Sequence, residues 1–513
     1  MRLNGYLRAL ALAIVFLAVQ LAVGCRWEMC LGFAIALFFG WCACEAGRPW
    51  NSLLGLLTIS FYVKTVLFGC MAKTLLGQPM DFEVHAPAET AAVFALGFAA
   101  VWLAVLLLRF LPIPTRSIVR SPENPRAWLV LWGGFLVLGG AGWFFAFHGN
   151  IDIVVKDETD VAAASGRIYE LGGLFAQFFP FAPAAAVFYL AAMGKKRLIT
   201  HPLVIISLLI SAIPGVLEAR KSPLMIPFAS VWLSVLMVRG LRYKPLWWWT
   251  AACFIILMVF VFPFVQYGRY AIEHGRIEER VSAIKDVGEK FTSGESYKEM
   301  YSGAVDLDQS HLPYLGRAAA SLDRFVRYTD ASRLVDATVI SGGYTGFYTI
   351  GWGLRQIPPR SISPDKPLDS INNWLTRYTG DTSEEDKLTQ AAYGFMASFF
   401  NAFGYWGAFF GSFLLYVVMM YWMRLFVENR AGPTIWVIVV FFMFETSLVE
   451  DSAGAMLIRV WIPVSILLFS FASHLFSSQI LGGLLRLLRA ARRRRRVGCR
   501  NQLPARDRQS EIS

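Results

Sequence analysis

Twelve apolar runs, each close to the length needed to cross a lipid bilayer as a helix, dominate the chain. They lie at about 7–24, 28–46, 51–71, 89–112, 127–147, 169–193, 199–217, 223–239, 246–267, 397–425, 433–449 and 454–478. About 20 apolar residues are needed per span, because the hydrocarbon core is about 30 Å thick and lipid offers no partner to an exposed peptide group. The runs predict an all-α polytopic membrane protein. Spans one to nine occupy 1–267, a large polar insert 268–396, three further spans 397–478, and a basic tail 479–513. Composition agrees: 56% of the 513 residues are hydrophobic and 16% charged, where soluble domains carry about a quarter charged residues.

The formal charge of +12 is concentrated at one end, in Arg486, Arg489 and Arg492 to Arg496. Following an apolar span, such a run reads as a cytoplasmic anchor on anionic headgroups, and no nucleic-acid partner is expected. Lys and Arg alternate between loops. One set holds Arg48, then Arg116, Arg120 and Arg126, then Lys195 to Arg197, then Arg239, Arg242 and Lys244, then Arg424 and Arg430, and finally the tail. The other holds Asp81 and Glu83, then Asp152 to Asp160, then Glu218 to Lys221, then the insert, then Glu450 and Asp451. The positive-inside tendency places both termini in the cytoplasm and the insert outside. The first run follows Arg2 and Arg8 as a signal peptide would, but no small-x-small site follows it, so it reads as an uncleaved helix.

Several chemistries are disfavoured. The seven cysteines lie in or beside apolar runs without metal-ligand spacing, and the six histidines are scattered. There is no Lys-Ser/Thr phosphate loop, no His-Glu-x-x-His and no Gly-x-Ser-x-Gly. No metal or cofactor is expected.

The insert concentrates the polar residues. Gly268 to Phe291 is helix-prone, and Leu315 to Val339 carries helical apolar spacing at Leu322, Phe325, Val326 and Leu334, with Arg317, Arg324, Arg327 and Arg333 on other faces. Ser341-Gly-Gly-Tyr-Thr-Gly346 breaks regular structure, and Phe347 to Leu354 is aromatic enough to enter the membrane interface. Pro358, Pro359, Pro364 and Pro367 then force an extended turn. Arginines in the outward loops, Arg220, Arg269, Arg276, Arg324, Arg327, Arg360 and Arg377, suit a phosphate or pyrophosphate, since the guanidinium fork donates two hydrogen bonds and keeps its charge.

Ile357-Pro-Pro-Arg360, Pro364-Asp-Lys-Pro367 and Asn401-Ala-Phe-Gly404-Tyr-Trp-Gly407 resemble the Pro-Arg, Pro-Asp-Lys-Pro and Asn-Phe-Gly-x-x-Gly elements of Wzy-type oligosaccharide repeat-unit polymerases and the related O-antigen ligases. Two departures stand out: Ala402 interrupts Asn-Phe-Gly, and Gln390-Ala-Ala-Tyr393 replaces a Gly-Glu element. The resemblance implies an inverting, metal-independent glycosyl transfer at the outer face of a bacterial inner membrane. A glycan on undecaprenyl pyrophosphate would pass to a fresh lipid-linked unit, building O-antigen, capsule or exopolysaccharide, with a flippase and a chain-length regulator as partners.

Two tasks follow: the leaving pyrophosphate needs cations, and the acceptor hydroxyl needs a base. Arg220, Arg360 and Lys366 are expected to serve the first, with Lys221, Arg324, Arg327 and Arg377 as further binding groups. Asp365 is the expected base, and Glu445, Glu450 and Asp451 are alternatives. Glu445 with Arg459 also reads as a structural pair between spans, and Trp247 to Trp249 as an interfacial belt. The rival reading is a flippase or transporter for lipid-linked sugars, which predicts inverted repeats and broken helices near the midplane.

Overall fold

The computed structural model describes residues 3–48, 52–112, 125–153, 175–176, 178–217, 221–240, 243–256, 282, 284–286, 288–289, 293, 326–358, 363, 370–382, 391, 393–427 and 452–458. Among these residues every regular element is a helix. The elements are α1 (Leu3–Ala22), α2 (Trp27–Gly47), α3 (Leu53–Leu75), α4 (Pro87–Phe110), α5 (Pro125–Ile153), α6 (Ala182–Ala192), α7 (Pro202–Leu217), α8 (Lys221–Arg239) and α9 (Lys244–Ile256). In the insert lie α10 (Arg327–Ser341), α11 (Tyr348–Gln356) and α12 (Ile371–Tyr378). Beyond it, α13 runs as Gly394–Trp406, a π turn over Gly407–Gly411 and Ser412–Val427, and α14 is Ala453–Ile458.

Among the described residues six helices are long and apolar enough to cross a membrane: Gly5–Ala22, Trp27–Gly47, Leu53–Leu75, Pro87–Phe110, Pro125–Phe145 and Gly394–Leu425. Phe179–Ala192, Pro202–Leu217 and Leu224–Arg239 are apolar but shorter. The expected span 433–449, most of 454–478, most of the segment Gly268 to Phe291 and the basic tail lie outside the described residues.

Local chemistry fixes the helix ends. Ser52 caps α3, its Oγ accepting from the Gly55 N–H at 2.9 Å. Pro87 opens α4 with its φ already helical and no N–H to satisfy. Ser370 and Asn373 cap α12 reciprocally: Asn373 N–H donates to Ser370 Oγ at 3.2 Å and Ser370 N–H donates to Asn373 Oδ1 at 3.0 Å. The third span outruns its expected end at 71 because Lys73, only 2% exposed, continues the helix with its ammonium 5.0 Å from the centre of the Phe82 ring. A lysine normally ends an apolar run; here an aromatic face shelters it.

Small residues set the packing, as expected where lipid competes for every apolar surface. A Cβ on Gly32 of α2 would lie 2.6 Å from the Ala91 Cβ of α4, and one on Gly40 would enter the Tyr62 ring of α3 at 2.2 Å. Phe61 of α3 stacks on both Phe98 of α4 and Phe395 of α13, each at 5.4 Å. Buried hydroxyls tie the same helices, with Thr58 Oγ1 and Tyr416 Oη 2.9 Å apart. Helices α5 to α8 pack by the same means: Trp132 Nε1 donates to Ser207 Oγ at 2.7 Å, and Ser211 Oγ donates to the Phe179 carbonyl at 3.1 Å.

Helix α10 docks onto α13 and α4 through a buried face of Tyr328, Ala331, Leu334 and Val335, and its Tyr328 ring lies 4.7 Å from Phe33 of α2. Val326 and Leu334 are buried and Arg333 faces solvent, as the spacing predicts. The loops separated by charge are also the loops that touch. In the acidic set, Tyr328 Oη donates to Met80 Sδ at 3.1 Å, and the turn before α2 joins them, with Arg26 N–H donating to Asp81 Oδ2 at 3.1 Å. His85 N–H donates to Ser332 Oγ at 3.1 Å and Ser452 N–H to Asn372 Oδ1 at 3.3 Å. In the basic set, buried Arg424 donates to the Leu108 carbonyl, and Arg239 Nη2 donates to the Lys195 carbonyl at 2.8 Å.

Candidate functional site

The Asn401 to Gly407 motif is a break inside α13. Phe403 (φ −143°, ψ 18°) and Gly404 (φ 65°, ψ −152°) leave helical geometry. The Gly404 angles fall where a side chain is strained, and a Cβ there would also sit 2.7 Å from Tyr344 Oη. The break releases the carbonyls of Asn401 and Ala402 from their helical donors, and buried carbonyls must be paired. The glycine-rich loop of the insert supplies the donors: Thr345 N–H reaches Asn401 O at 2.9 Å and Gly346 N–H reaches Ala402 O at 3.0 Å.

The Asn401 side chain, fully buried, completes the joint. Its Nδ2 donates to Thr338 Oγ1 at 2.9 Å, and its Oδ1 accepts from Thr345 Oγ1 at 2.8 Å. Gly407 and Gly411 allow the π turn to fold back on this segment, since a Cβ on Gly407 would lie 2.1 Å from the Phe399 carbonyl and one on Gly411 2.4 Å from the Phe399 ring. The signal for this joint was in the sequence: a Ser-Gly-Gly-x-x-Gly loop and an Asn-x-Phe-Gly run within an apolar span.

A polar network flanks the joint. Asp381 accepts from Arg333 Nη1 at 3.0 Å through Oδ1, and from Tyr393 Oη at 2.9 Å through Oδ2. Thr379 Oγ1 lies 2.7 Å from the Tyr393 oxygen, and Ser341 Oγ lies 3.0 Å from Tyr378 Oη. Burial pushes the Tyr393 phenol above its ordinary value, so it stays protonated and able to donate through the neutral range. Through these contacts Asp381, just after α12, braces that helix against Arg333 of α10 and Tyr393 at the start of α13.

Tyr393 also lines a cleft with Phe61, Thr65, Phe94, Arg327, Gly394, Phe395 and Met396. Thr65 lies in the π turn of α3 (Val63–Leu67), is 6% exposed, and its hydroxyl has no hydrogen-bond partner among the described residues. Arg327 opens α10 and is half-buried. The cleft has room for about one water molecule.

Of the expected site residues, Arg327 and Arg377 fall in this region, on α10 and α12. Lys221 is placed as the first residue of α8. Arg220, Arg324, Arg360, Asp365, Lys366, Glu445, Glu450 and Asp451 lie outside the described residues, as does most of the Pro358 to Pro367 turn. Arg333 and Tyr393 were noted in the sequence only as an off-face arginine and as part of a departure from a motif, and Asp381 and Thr65 not at all; their contacts span distant segments that the local pattern does not join.

No protein-family model matches the chain, and neither does any curated protein or solved structure compared with it.

Proposed function

We propose that the chain is a polytopic glycosyltransferase that polymerises undecaprenyl-pyrophosphate-linked repeat units at the periplasmic face of a bacterial inner membrane, related to the Wzy-type polymerases and O-antigen ligases. In this reading there are about twelve spans, both termini are cytoplasmic, and the 268–396 insert is periplasmic. The observation that carries the proposal is the joint between Asn401–Gly404 and Thr345–Gly346. It fastens the motif-bearing span to the polar insert, whose helices α10 and α12 carry Arg327 and Arg377.

The chemistry required is a displacement at the anomeric carbon. The acceptor hydroxyl oxygen bonds to C1 as the bond from C1 to pyrophosphate breaks, and the hydroxyl proton passes to a carboxylate, for which Asp365 is proposed. Arg220, Arg360 and Lys366 would neutralise the leaving pyrophosphate, with Lys221, Arg324, Arg327 and Arg377 holding the substrate. Fixed guanidinium groups suit this task because charge accumulates on the departing phosphate oxygens.

The flippase reading draws on one feature, the broken helix. Discontinuous transporter helices bind substrate near the midplane, whereas this break lies close to the start of a span and is filled by a loop.

In cells, Arg360→Ala or Arg220→Ala should abolish long-chain polymer while membrane levels of the protein remain normal. Wild-type chain lengths in both variants would reject the assignment.

A further inference from the structure

Two basic turns meet at one end of the helices α6 to α9. Helix α6 ends at Gly194, whose φ of +69° lets the Lys195 N–H close back on the Leu190 carbonyl at 3.0 Å. The turn that follows, Lys195-Lys196-Arg197, is held down by fully buried Leu198 and leads into α7 at Pro202. Helix α8 ends in Arg239, and Gly240 (φ +76°) turns the chain, its carbonyl accepting the Tyr243 N–H at 3.3 Å. Lys244 then opens α9, two residues before fully buried Leu246. A cation in the last turn of a helix commonly faces the carbonyl end of that helix. Arg239 reaches across instead, its Nη2 donating to the Lys195 carbonyl at 2.8 Å.

Five exposed cations, Lys195, Lys196, Arg197, Arg239 and Lys244, are gathered in this way. Among the described residues none of the five is in an ion pair, whereas Arg26, Arg333 and Lys285 each lie beside a carboxylate. Like charges held together repel, and an anion bound among them relieves the repulsion. The neighbouring surface says which anion. Helix α7 leads away from the turn with Ile206, Leu209 and Ile213 exposed at the spacing of one helix face, and Trp248, 79% exposed, stands one turn into α9 beyond Lys244. An apolar face suits acyl chains and an exposed indole suits the headgroup level, neither of which a free phosphate would use. We propose that the turn Lys195 to Arg197, with Arg239 and Lys244, binds an anionic phospholipid, its phosphate among the cations and its acyl chains against the exposed face of α7. Basic pockets between membrane helices take such headgroups. The site requires only a bilayer beside these helices and is independent of glycosyl transfer and of the basic tail.

The test titrates full-length protein, stripped of lipid in a neutral detergent, with dioleoylphosphatidylglycerol or dioleoylphosphatidylcholine and reads the tightest bound lipid by native mass spectrometry. Wild-type protein should hold phosphatidylglycerol more tightly than phosphatidylcholine. At about fivefold per cation near a membrane surface, the combined change Lys195→Ala, Lys196→Ala and Arg197→Ala should weaken that binding about a hundredfold, while alanine at Arg492 to Arg496 leaves it unchanged. Lys196→Glu, a single exposed substitution, should act in the same direction and keeps the test valid where the triple variant fails to fold. Equal affinity for the two lipids, wild-type affinity in the folded loop variants, a loss confined to the tail variant, or displacement of the lipid by equimolar inorganic phosphate would each overturn the site.

Discussion

Replacing Gly404 by alanine tests the joint between span and insert. Its φ of 65° and ψ of −152° belong to a region nearly restricted to glycine, and forcing a side chain there costs about 1–3 kcal/mol. The new Cβ would also meet Tyr344 Oη at 2.7 Å and Cζ at 2.8 Å, but Tyr344 is 61% exposed and its ring can turn away into solvent, so the backbone cost of about 1–3 kcal/mol carries the effect. Denaturant titration in mixed micelles, followed by tryptophan fluorescence, should register that loss. Tyr344→Ala should relieve little of it, so the two variants should add to within about 0.5 kcal/mol. Stability of Gly404→Ala within about 0.5 kcal/mol of wild type would refute the reasoning, and a coupling above about 1 kcal/mol would assign the loss to the Tyr344 contact instead.

Asn401→Ala should cost about 1–3 kcal/mol in the same titration, because the Thr338 and Thr345 hydroxyls lose a buried partner. Gly454→Ala should lower the yield of folded protein in detergent, as its Cβ would lie 2.2 Å from the Thr349 carbonyl, with backbone on both sides of the contact. Asp381→Ala should cost only about 1–2 kcal/mol, since its link to Arg333 is half-exposed and that to Tyr393 is a single hydrogen bond. Its chain-length profile in cells should stay normal; loss of polymer with an intact fold would mark Asp381 as a base.

The long spans were legible because lipid imposes a length and a polarity that few other folds share, and charge alternation sorted the loops into the groups that now touch. The Asn401 joint was half legible. Glycine and asparagine inside an apolar run announce a break, but not that Thr345 and Gly346 fill it. The π turn at Val63–Leu67 carries neither glycine nor proline and left no trace in the pattern. The approach of Gly353 to Gly454 joins α11 of the insert to α14, and only the folded chain brings them within contact. Arg327 was legible as a charge off the apolar face of its helix, but not that it would line a cleft with Phe61, Phe94 and Phe395, which come from three other helices.

The most direct test of the proposed activity uses purified protein in lipid vesicles with a synthetic undecaprenyl-pyrophosphate repeat unit and no nucleotide sugar, the products being resolved by size. A ladder of products rising in steps of one repeat unit, lost in Arg360→Ala, is the predicted result. Substrate that crosses between leaflets without elongation would contradict it and identify a flippase.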